Sequence, residues 1–103
     1  MLEAFMNKEL YIKLTEKDKP LLPELKEIIG LDWKSGADFV TQTPRFLSAD
    51  SPAYITVCEE RTGIVVTWDE PGKFVDAETF VRESKLFELD QNQYEKVWEY
   101  ELN

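Results

Sequence analysis

The sequence contains no histidine, one cysteine (Cys58) and only four glycines among its 103 residues. Without histidine there is no Ser-His or Cys-His nucleophile pair and no imidazole-based metal site. One thiol cannot close an intrachain disulfide or build a zinc or iron–sulfur centre, so secretion gains no support and no cofactor is implied. The glycines fit neither GxGxxG nor GxxxxGK[ST], and no DxDxDG loop occurs, which removes phosphate-cradling and calcium-loop chemistry. No apolar run approaches the ~20 residues of a membrane span. The opening MLEAFMNKEL carries acids early and lacks a signal-peptide core. Met6, followed by Asn-Lys, is a second candidate start, with Met1–Phe5 then an extension. A cytoplasmic location is the expectation these absences leave.

Positive charge is also scarce. Acids outnumber bases 21 to 12, for a net charge of −9, and residues 69–103 alone hold ten acids and four bases. A field of this sign repels phosphate backbones and anionic membrane surfaces and attracts basic partners. Direct nucleic-acid and membrane binding are therefore not expected. An acidic surface also serves solubility alone.

What is present suffices for one core. A hydrophobic share of 43% and an aromatic share of 13% argue against disorder, and the length leaves room for a single domain over residues 1–103. The pattern predicts an α+β fold, with an antiparallel sheet of four or five strands packed against two short helices. Lys8–Leu14 alternates as a strand. PLLPELKEIIG reads as a helix with Leu22, Leu25 and Ile29 on one face and Gly30 at its stop. AYITVCE and IVVTW form a hairpin, with Gly63 placed for a left-handed turn position and both faces apolar enough to be central. Pro71-Gly72 suits a type II turn. Asp76 is placed to cap a second helix, AETFVRESKLF, with Phe80, Val81, Ser84 and Phe87 on one side. Phe39–Thr43 reads as a short strand ended by Pro44, inside the least regular part of the chain. Tyr94–Leu102 has strand alternation but also a helix-start signature before it.

Candidate functional residues follow from these placements. Cys58 sits mid-strand beside two glutamates and reads as a small buried hydrophobe, not a reactive thiolate. Trp33, Arg45 and Phe46 lie in the irregular segment, where binding loops concentrate, but a loop tryptophan more often folds onto the core. Asp32, Asp38, Asp69 and Glu70 fall near turns, where carboxylates serve as caps or solvated ends. On a closing strand, Glu95, Glu99 and Glu101 point one way, the last two ~6.6 Å apart. Joined by Asp69 and Glu70, they make a candidate partner-binding surface.

The leading functional expectation is therefore a non-enzymatic acidic protein-interaction module. Its concrete form is an inhibitor or regulator, of the phage or mobile-element accessory type, docking on a basic, nucleic-acid-binding partner. One alternative is a self-associating structural subunit that pairs through an exposed strand. Another is a small enzyme or small-molecule binder that uses carboxylates in a pocket.

Overall fold

The structure, a computed structural model, describes residues 1–85. Its sheet has four strands in the order β3-β2-β1-β4: β1 Tyr11–Leu14, β2 Ala53–Val57, β3 Ile64–Thr67 and β4 Phe74–Asp76. The helices are α1 Leu2–Met6, α2 Leu22–Ile29, α3 Phe39–Gln42 and α4, helical over residues 77–85, with short 3-10 turns at Glu16–Leu21 and Thr43–Arg45. The class is α+β, as the alternation and helix signals imply. It departs from expectation in having four helices among the described residues and one parallel strand pair. Phe87 and the segment Tyr94–Leu102 lie outside the described residues.

The helix α2 forms as its sequence dictates. Pro23 falls in the first turn, where no backbone donor is lost. Leu22, Leu25 and Ile29 are buried on one face, and Gly30 closes the helix at φ +76°. The segment before it, Glu16–Leu21, is a 3-10 turn. There the Asp18 carboxylate accepts from the Thr15 backbone N–H (2.8 Å) and hydroxyl (3.1 Å), so a buried acid is satisfied within its own turn.

Two further helices escaped the pattern. Leu2–Met6 is too short to show a 3.6-residue period, yet Phe5 is fully buried with its ring 5.9 Å from that of Phe80. Phe5 thus belongs to the core. Phe39–Gln42 is helical where a strand was expected, because the Asp38 carboxylate accepts from the Thr41 N–H at 2.9 Å and caps the turn. The strand Lys8–Leu14 is shorter than its alternation suggests, beginning at Tyr11 after Lys8 takes φ +62°.

The hairpin forms as expected, with Ile55 opposite Val66 and Val57 opposite Ile64. All five residues of β2 are buried, so that strand is covered on both faces. Its partner β3 is not central. It lies at the sheet's edge, and Val66 is 37% exposed. The left-handed turn residue is Arg61, at φ +59°, and not Gly63. Gly63 has a different duty. A Cβ there would stand 2.5 Å from the Cα of Lys34, so the backbone of the α2–α3 loop can approach only a glycine.

That approach builds a second pairing on β3. The Ile64 N–H donates to the Asp32 carbonyl (2.9 Å), and the Lys34 N–H donates to the Ile64 carbonyl (3.0 Å), forming a parallel bridge at Trp33. A hairpin from β3 into β4 would need this same edge. The chain instead crosses to the far side, where β4 pairs with β1 in parallel (Tyr11 with Phe74, Lys13 with Asp76). The Pro71-Gly72 turn is accordingly not of type II, which needs a positive φ at Gly72 that the structure does not have.

Cβ insertion at Gly63 must push the loop away from β3. We expect Gly63→Ala to lower stability by ~1–3 kcal/mol, measured by urea unfolding, with the slope m unchanged.

Candidate functional site

The loop after α2 is held in place by one carboxylate. Asp32 accepts from Lys26 Nζ on α2 (2.8 Å) and from the Phe39 N–H at the start of α3 (3.0 Å). These bonds, the lysine's first, draw its pKa below the ordinary aspartate value. The Asp32 backbone carbonyl meanwhile holds Ile64. One residue therefore ties α2, α3 and β3 together. The expectation of a carboxylate cap holds for Asp32 and for Asp38.

With the loop fixed, Trp33 packs between Phe39 and Phe46, at ring-centroid distances of 5.6 and 5.4 Å. Its indole N–H donates to the Thr43 hydroxyl at 2.9 Å, so both polar groups are satisfied as the ring is half-buried. Trp33 and Phe46 thus fold onto the core, as expected. The stack does not stop there. Phe46 meets Trp68 edge-on at 5.7 Å, and Trp68, just past the end of β3, is 51% exposed. An aromatic row runs from buried Phe39 out to the solvent.

Beside this row lies an open groove of about 480 Å³. Trp33, Phe46, Ile64 and Val66 supply apolar walls, and Lys34 and Arg45 stand among its lining residues. Arg45 is exposed, not folded inward with Phe46. No carboxylate lines the groove among the described residues. The groove owes its existence to the loop–β3 bridge, which sets Trp33 and Lys34 against one end of the strand and leaves Val66 uncovered at the other.

The residues selected from the sequence are only partly visible here. Asp69 and Glu70 are exposed and follow Trp68 directly, with the Asp69 N–H donating to the Thr67 hydroxyl at 3.3 Å. Glu95, Glu99 and Glu101 lie outside the described residues. Asp76, another acid of the same third, sits on β4, three strand spacings or ~14 Å from β3. The acids of 69–85 are therefore not all gathered beside Trp68. Cys58 is buried, and its thiol is held below its ordinary pKa mainly by a 3.5 Å hydrogen bond with the Thr62 hydroxyl. Sequence reasoning missed Val66 and Trp68 as surface groups by assigning β3 to the sheet's interior. Among the described residues no helix is long and apolar enough to cross a membrane.

The Asp32 contacts give a pH signature. A depressed folded-state pKa contributes stability above the unfolded value, and that contribution is lost as pH falls through the folded value. Asp32→Asn is expected to lower Tm at pH 7. The gap to the wild type should close as pH drops below about 4, read by thermal melts across pH 2.5–7 (roughly the aspartate range). A gap that is constant over this range would refute the charge-based role. The chain matches no protein-family model, no curated protein and no solved structure.

Proposed function

We propose that this protein is a non-enzymatic protein-interaction module that docks through the aromatic groove beside β3. The observation that carries the reading is the row Trp33–Phe46–Trp68, which ends in a half-exposed tryptophan next to an uncovered strand edge. Aromatic anchors with polar groups at their rim are the usual composition of interface hot spots. Trp68 keeps half its surface in water, so a partner that covers it gains apolar burial without first unfolding anything. Among the described residues, the groove lining lacks the carboxylate pair that acid–base catalysis would use in a histidine-free chain.

Asp69 and Glu70 favour a second reading. They are exposed and adjoin Trp68, which suits an acidic inhibitor or regulator contacting a basic, nucleic-acid-binding partner. Self-association through β3 has less behind it. A second copy would bring its own Lys34 and Arg45 to the same edge, so cations would face cations across a symmetric pairing.

Affinity capture from the source cells separates these readings. Partners lost with Trp68→Ser but kept with Asp69→Asn/Glu70→Gln support groove docking. The reverse pattern, with loss at high salt, supports the acidic-contact reading. Retention of every partner by Trp68→Ser sinks the proposal. A concentration-dependent dimer in light scattering, abolished by Val66→Lys, would instead establish self-association.

A further inference from the structure

The groove's charge runs against that of the protein. Acids outnumber bases 21 to 12 in the chain, yet among the described residues the groove is lined by Lys34 and Arg45 and by no carboxylate. Arg45 makes no ion pair among the described residues. Lys34 meets Glu60 only at 3.8 Å, with both side chains more than half exposed, a pairing that yields little energy and is readily exchanged. The rest of the lining is largely apolar, with Trp33, Phe46, Ile64 and Val66 beside the polar Ser35 and Gln42. A ligand matched to this lining carries an apolar side chain with an anionic group close by.

The backbone adds direction. Ile64 turns its N–H outward to the Asp32 carbonyl and its carbonyl outward to the Lys34 N–H. In an antiparallel pair such groups alternate, so Val66, two residues on, presents its own N–H and carbonyl to the same outer side. No strand lies there among the described residues. The Asp32–Lys34 segment thus begins a fifth strand that stops after one bridge, and the open position lies in line with it along the groove.

Taking the groove as the docking face, we infer that its occupant is an extended acidic segment of a partner protein. The segment adds to the edge of β3 at Val66. It places one apolar side chain in the groove. A carboxylate two residues away, on the same face at ~6.6–6.8 Å, reaches Lys34 or Arg45. Recognition is then by an apolar–x–acid pattern in extended conformation.

The test uses the full chain and fluorescein-labelled peptides read by fluorescence anisotropy. The probe Thr-Glu-Thr-Phe-Thr-Glu-Thr should bind, and its Gln counterpart should bind about tenfold more weakly. The Lys counterpart should not bind. The exposed-site double variant Lys34→Glu/Arg45→Glu should reverse the preference, taking the Lys peptide over the Glu peptide. N-methylation of alternate peptide amides should abolish binding in one register and spare it in the other. Equal affinity for the Glu and Gln peptides overturns the acidic specificity while leaving groove docking intact. Indifference to N-methylation in both registers overturns strand addition. Failure of every peptide to bind overturns the whole inference, whereas the docking-face reading itself stands or falls on Trp68→Ser in the capture experiment.

Discussion

The structure hangs on the bridge between Asp32–Lys34 and Ile64. Two backbone hydrogen bonds, of 2.9 and 3.0 Å, fasten the loop to the edge of β3. The Asp32 side chain secures the same loop to α2 and α3. Each bond is modest alone, of order 1 kcal/mol net, but together they fix three elements at one residue. The bridge also explains a glycine and a topology. Gly63 is required because the loop backbone comes closer than any Cβ permits, and β4 pairs with β1 because the neighbouring edge is partly taken.

The same bridge produces the groove. Held against Ile64, Trp33 stacks with Phe39 and Phe46, and Phe46 carries the row on to Trp68. Because the loop leaves β3 after one bridge, Val66 stays open and the aromatic row ends at the surface instead of in a core. On the proposed docking reading, an exposed aromatic, an open edge and a locally cationic lining all have a use.

Much of the fold was legible in local pattern. The period of Leu22, Leu25 and Ile29, with Gly30 after them, specifies α2, and the β-branched arms on either side of Cys58–Gly63 specify the hairpin. The spacing of Phe80 and Val81 marks the helix from residue 77, while Asp76, expected as its cap, ends β4. What was not legible has a common cause. Leu2–Met6 and Phe39–Gln42 span one turn or little more, too short for a period. Their helicity comes from packing at Phe5 and capping at Asp38. Gly63 was assigned to turn chemistry because a sequence shows a glycine's freedom and not the neighbour that needs it.

The candidate site divides in the same way. Composition alone removed histidine, disulfide and phosphate-loop chemistry, and the charge balance set the sign of the protein's field; both are properties of residues taken one at a time or in total. The local patterns likewise located the strands of the hairpin, since a two-residue period needs no distant partner. Which strand lies at the edge, which loop meets it, and how Trp33, Arg45, Phe46 and Val66 come to one groove were decided only in three dimensions. Those contacts join segments up to some thirty residues apart. Their geometry depends on competition for a single set of backbone hydrogen bonds, which no local pattern records.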